Sequence, residues 1–196
     1  MEAQTTTATG EYYLQGVMET ASGFRLNADG TFNFFFSYGA MDREGQGHWK
    51  QKGKAIIFNS EQKSGHDYSL VQSKKQSTDG ITLQIDHANS HLKKMVHAII
   101  SSGNSQERST ANEEGVIVFH TAIADTITLL FEWAPEKKFI YTVKDRSHNY
   151  FEFAFEPSIM EVLFDDFILE ITATGFTGPH PMDKEKVFQY KKAKSK

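Results

Sequence analysis

At 196 residues, 39% hydrophobic and 13% aromatic with 16 phenylalanines, the chain is too rich in large apolar groups for a disordered segment and long enough for one large all-β domain or two small ones. Its 21 basic and 25 acidic residues are interspersed and leave a formal charge of -4, which excludes an electrostatic footprint for nucleic acid over the folded part. With no cysteine there is no disulfide, thiolate nucleophile or Cys-based zinc site, and no apolar run approaches the ~18 residues of a membrane-spanning helix.

Residues 1–9 are polar and threonine-rich without periodicity, and read as a disordered lead added to, or left by, a processed mature end. A strand is predicted over 11–18, with a bulge at Gly16, and a short one over 23–26. The turn signal Ala28-Asp29-Gly30 then opens a strand that places Phe32, Phe34, Phe36 and Tyr38 on one face and Phe35 on the other. Rings so arranged, worth roughly 1.5–3 kcal/mol each when buried, mark a core hairpin. A corner at Tyr38-Gly39-Ala40-Met41-Asp42, a strand through Gly45, Gly47 and Trp49, the turn Lys52-Gly53-Lys54 and a strand over 55–59 complete an antiparallel meander.

Residues 60–80 are charged and serine-rich, with one strand over 67–72 and a turn at Asp79-Gly80, so a domain boundary is placed within 73–80. Strands are predicted over 81–86, 94–100, 115–120, 126–133, 138–143, 150–155, 161–164, 167–172 and 186–191, with 101–114 as a polar loop or ragged edge. Only 157–166 offers a helical turn, and the chain closes in a basic tail. The organisation predicted is a polar lead over 1–9, a meander over 10–75, a second β domain over 80–192 and a tail over 193–196.

Gly10-x-Tyr12, Gly16-Val17-x-Glu19, Ser22-Gly23-x-x-Leu26, Asp29-Gly30-Thr31-Phe32, Tyr38-Gly39-Ala40-x-Asp42 and Gly47-x-Trp49 together resemble the start of a group of small exported proteobacterial proteins of unassigned function. The resemblance covers about residues 10–59. It implies a lipocalin-like β meander followed by a second β domain, in a protein whose signal peptide has been removed. The second half is similar to transthyretin-like (prealbumin-like) or carboxypeptidase-regulatory-like sandwiches: a strand ending near Asp86, one through Val96, then Ser109-Thr110 and Gly115-Val116-Ile117-Val118-Phe119. The fold class is thus all-β: an antiparallel lipocalin-like meander, then a β-sandwich of transthyretin or immunoglobulin-like type.

Two constellations carry the candidate sites. Tyr38 and Asp42 at the corner, with His48 and Trp49 beyond it, join glycine-permitted close approach to a stacking ring with a polar edge, as a binding cleft would. The competing reading has Trp49 plug the barrel end and Asp42 bond its own turn. Asp86, His87 and His91 have the spacing of a metal site, although no Glu follows His87 as a zincin motif requires; exposed loop histidines are the simpler reading. No Gly-x-Ser-x-Gly and no phosphate-binding loop is present, and Asp165-Asp166 reads as a turn.

Without a catalytic motif, the sequence favours a non-enzymatic bacterial envelope protein that binds another protein, periplasmic or otherwise exported, or cytoplasmic if Met1 is the native start. No cofactor is implied. The alternatives are an inhibitor or immunity-type protein, a carrier of a small hydrophobic ligand, and a metal-dependent hydrolase using Asp86, His87 and His91. Sixty residues supply too few strands for a hollow eight-stranded cup, unless strands from the second half close it. Exposed strand edges in the second half would also allow a homodimer.

Overall fold

A computed structural model describes residues 8–61 and 66–194. Five strands come first: β1 (Gly10–Gln15), β2 (Thr20–Leu26), β3 (Thr31–Tyr38), β4 (Met41–Lys52) and β5 (Ala55–Asn59). Next are β6 (Tyr68–Lys74), β7 (Ile81–Asp86), the single turn α1 (Ser90–Lys93), β8 (Val96–Ser102), β9 (Ser105–Thr110), β10 (Val116–Phe119), β11 (Thr126–Phe131), β12 (Ala134–Thr142) and β13 (Tyr150–Phe155). After a 3-10 turn (Pro157–Met160) the chain ends in β14 (Phe167–Ile171), β15 (Gly175–His180) and β16 (Asp183–Lys192).

The protein is all-β, with antiparallel sheets that include a closed eight-stranded barrel in the order β1-β16-β15-β14-β5-β4-β3-β2. Two compact units result, one drawn from Met1–Lys63 with Met160–Lys196 and the other from Ser64–Ile159. This corrects the division at 73–80. The last three strands belong with the first five, because β14 pairs with β5 (Phe167 opposite Phe58) and β16 pairs with β1 (Tyr12 opposite Lys192). Conversely β6 joins the other unit by pairing with β13, and the polar stretch before β7 is a turn within that unit. Buried Asn149 staples it, accepting from the Gln76 amide and donating to the Thr78 and Gly80 carbonyls.

The barrel interior is filled with rings. Phe24 sits at its centre, 4.8 Å from Phe58, 5.0 Å from Phe34 and 5.3 Å from Tyr190, while Tyr12 stacks on Phe176 at 3.9 Å. Of the ring face predicted on β3, Phe32 and Phe34 are buried, Phe36 is half-buried and Tyr38 is exposed, because the strand runs out of the barrel towards its rim. Residues 161–164, expected as a strand, instead make one bridge to β4 (Glu161 with Glu44) and insert Phe164 among the core rings. Gly45 makes room for that insertion: a Cβ there would lie 2.6 Å from the Phe164 ring and 2.7 Å from the Val162 carbonyl oxygen.

In the other unit the strands form two four-stranded sheets, β10-β7-β13-β6 and β12-β11-β8-β9, with β13 and β7 parallel. Their apolar faces meet through Tyr68 with Phe139 (5.6 Å), Phe131 with Phe155 (5.1 Å) and Tyr141 with Phe153 (5.5 Å). Residues 105–110, read as loop or ragged edge, form the edge strand β9 opposite β8. Its mostly polar side chains suit an edge.

Candidate functional site

The outer wall of the barrel carries a groove of about 430 Å³ over β1 to β4. Strand register produces it. Outward-facing side chains that stand opposite one another on neighbouring antiparallel strands line up in rows across the sheet. One row is Glu11, Arg25, Asn33 and Gln46; the next is Tyr13, Gly23, Phe35 and Glu44. Each row crosses four strands, about 14 Å at the usual strand spacing. Glu161, bridged to Glu44, closes the β4 side.

Tyr13 and Phe35 are each about two-fifths exposed and meet edge to face at 6.2 Å above Gly23. Glycine is required beneath them: a Cβ at position 23 would come 2.4 Å from the Tyr12 carbonyl oxygen and 3.0 Å from the Phe35 ring. The Tyr13 hydroxyl donates to Glu11 at 2.9 Å, and that bond raises the phenol above its ordinary pKa. Three carboxylates, one guanidinium and two amides therefore surround a pair of presented rings. Such a surface can grip a ligand by stacking and hydrogen bonding; it holds no aligned nucleophile and base.

The four residues of the first candidate cleft do not come together. Because β4 runs unbroken from Met41 to Lys52, Asp42 lies opposite Ser37 at one end and His48 opposite Thr31 near the other, about 20 Å apart along the strand. Tyr38 stays with Asp42 at the exposed rim. Trp49 packs against the barrel core and donates from Nε1 to the Asn27 carbonyl at 3.0 Å, fixing the β2–β3 turn, and His48 approaches Glu61 at 3.2 Å in solvent.

Asp86, His87 and His91 are not gathered as ligands either, and no group of three or more His, Asp or Glu side chains suited to a metal occurs among the described residues. His87 accepts the Asn89 amide at Nδ1 and packs against Phe155, whereas His91, within α1, packs near Trp133. Asn89 caps that turn by accepting the His91 amide.

Two further polar groups lie outside both candidate sites. Inside the barrel, buried His180 accepts the Met182 amide at Nδ1, so Nε2 carries the proton and donates to Ser22 Oγ at 3.0 Å; Ser22 in turn donates to the Phe35 carbonyl. Desolvation pushes this imidazole down to about 4. Its proton points at the serine, so the pair is structural. On the β8–β9–β11 sheet, His97 lies between Thr110 Oγ (2.8 Å from Nδ1) and Glu132 (2.9 Å from Nε2). His97 and Thr110 are directly opposed across the ladder, a placement that brings such side chains into contact in any sheet.

No family model, curated protein or solved structure matches this chain. A sequence signal for the groove did exist: Phe35 is a lone ring on the polar face of its strand, where solvation alone would not place one.

Proposed function

We propose that the chain is a non-enzymatic binding protein of the bacterial envelope, in which a lipocalin-like barrel carries an inserted β-sandwich of transthyretin or immunoglobulin-like type and engages a partner protein through its outer wall. The barrel reading is supported by sequential up-and-down strand order, as in eight-stranded lipocalins. The sandwich reading is supported by adjacency: β7, β10, β8, β11, β12 and β9 neighbour one another as strands B, E, C, F, G and C′ do in immunoglobulin domains. The exported setting rests on the resemblance alone.

The groove built on Tyr13 and Phe35 carries the functional reading. Presented aromatic rings ringed by polar side chains are the chemistry of protein interfaces, where Tyr and Phe anchors contribute disproportionately. An interior already packed with rings argues against the carrier alternative. The test is affinity capture from an envelope extract with the native chain and with a Tyr13→Ala, Phe35→Ala double variant. A partner retained by the first and lost by the second supports the proposal; equal retention refutes the groove as the binding surface. If the captured partner is an enzyme, its activity with and without the chain decides the inhibitor or immunity-type alternative.

A second reading, acyl-transfer chemistry at Thr110, has one observation in its favour, the Glu132–His97–Thr110 relay, since a base oriented by a carboxylate beside a hydroxyl is the pattern of an activated nucleophile. A fluorophosphonate probe that adds its mass at Thr110, and fails to do so in a His97→Gln variant, would establish it.

A further inference from the structure

We infer that the groove takes a proline-rich segment of the partner in the polyproline II conformation, lying across β1 to β4 with proline rings against Tyr13 and Phe35. This rests on the groove being the partner-binding surface and names the chemistry it recognises.

The surroundings exclude the other common ways of holding a peptide. The barrel is closed and each of β1 to β4 has a neighbour on both sides, so no edge is open to a partner strand. The exposed apolar part of the groove is two rings side by side, too short for the i, i+3, i+4 and i+7 anchors of a helix. Charge does not select either: Glu11 and Glu44 are balanced by Arg25 and by Lys191, which stands opposite Tyr13 on β16. An extended segment lying on the face of the sheet remains.

Two features of the wall match such a segment. Tyr13 and Phe35 close over Gly23 at 64°, and so present a ring face beside a ring edge to solvent. The C–H groups beside a proline nitrogen carry partial positive charge and pack on the electron-rich face of a ring. The second feature is spacing. Arg25, Asn33 and Gln46 are directly opposed on β2, β3 and β4, and their side chains have no hydrogen-bond partner among the described residues. All three can donate. A polyproline II segment has no internal hydrogen bonds, and every third carbonyl points the same way, about 9.3 Å apart at three residues per turn. Arg25 and Gln46 stand two strands apart, about 9.6 Å. Carbonyls three residues apart therefore reach both donors at once, and prolines between them bring no N–H that the wall would have to accept. Four or five residues span a row of about 14 Å, and their fixed φ leaves little conformational freedom to lose on binding.

The test is an NMR titration of the isotope-labelled full chain with three probes: acetylated and amidated hexaproline, a glycine-serine hexapeptide with the same end groups, and cellobiose. Only hexaproline is expected to shift amides at residues 11–13, 23–25, 33–35 and 44–46. Phe35→Leu, which keeps an apolar side chain without a ring face, should weaken that binding about tenfold, the scale of one anchoring ring. Gln46→Ala should weaken it about threefold, the scale of one exposed hydrogen bond. A Glu113→Gln control, in the other unit, should leave it unchanged. So should raising salt to about 1 M, where the screening length falls to ~3 Å; loss of binding there would mean that charge carries it and would overturn the inference. Equal shifts with the glycine-serine peptide, or stronger ones with cellobiose, overturn proline selection while leaving the groove a binding surface. No shift from any probe, with capture of the partner still lost in the Tyr13, Phe35 double variant, also overturns it and leaves the function standing. No shift from any probe, with capture retained by that variant, removes the function as well.

Discussion

Acidification offers a direct measure of how strongly the barrel holds His180 neutral. The imidazole is 3% exposed, stacked parallel to Tyr190 and edged by Phe34, Phe36 and Phe188, and burial lowers it from 6.5 to about 4. A base whose folded value is depressed is protonated first in the unfolded chain. The unfolded state therefore binds more protons between 6.5 and 4, and stability falls as pH drops through that window and levels off below it. From those two values, going from neutral pH to about pH 5 costs about 2 kcal/mol. The assay is urea unfolding followed by Trp49 fluorescence in a Trp133→Phe background, so that only the barrel reports. Stopping near pH 5 stays above the window of Asp29 and Asp183, whose hydrogen bonds to Thr31 and Lys186 hold them below the ordinary carboxylate value. The same series is run on His180→Phe, which keeps a ring in the aromatic cage but cannot titrate. The gap between the two proteins should close, or reverse, by about 2 kcal/mol on acidification. A gap independent of pH would refute the argument that the buried imidazole stays neutral at the expense of acid stability.

Two substitutions test the packing. Gly45→Ala places a methyl group within 2.6 Å of the Phe164 ring and should destabilise the barrel by about 1–3 kcal/mol in the same Trp49 assay, while in a separate Trp49→Phe background the Trp133 transition should stay where it is. Asn149→Ala removes the buried side chain that bonds Gln76, Thr78 and Gly80, and should destabilise the other unit by about 2–3 kcal/mol, read from Trp133.

The alternation of rings on β3, the glycine turns and the short β-branched strands are local signals, and they suffice for an all-β chain and for most strand positions. What decides the architecture is long-range pairing, which leaves no local mark. Nothing in Phe167 to Ile171 says that its partner is β5 and not the adjacent β13. β15 escaped notice because Gly175, Gly178 and Pro179 break the alternation, although Phe176 and His180 face the core. The candidate sites fared according to the same limit. Tyr38, Asp42, His48 and Trp49 are close in sequence yet straddle one long strand. Glu11, Arg25, Asn33 and Gln46 are scattered in sequence and adjacent in space, because register, not spacing, assembles a site on a sheet. The alternation placed Phe35 on the outer face of β3, but nothing local named its neighbours there.

The insertion of one unit into the other has a thermodynamic consequence of its own. The two chain crossings leave the barrel at a single place: the Ser60 amide donates to the Phe164 carbonyl at 2.8 Å, and Asn59 and Asp166 exchange two hydrogen bonds across 107 residues of sequence. When the inserted unit is folded it ties those ends together. When it is unfolded, the barrel must close a loop of that length, which costs about 2 kcal/mol more than a loop of about ten residues on a logarithmic dependence. Asn149→Ala combined with enough urea to unfold the inserted unit should therefore lower barrel stability by about that amount. In a chain where a short glycine-serine loop replaces residues 62–159, the barrel should fold, keep its Trp49 signal, and escape the penalty. A shortened chain that gives no cooperative Trp49 transition would mean that the eight strands need the inserted unit for more than closure. A barrel indifferent to the unfolding of the insert would mean that residues 59 and 166 are held together in the unfolded state by other contacts.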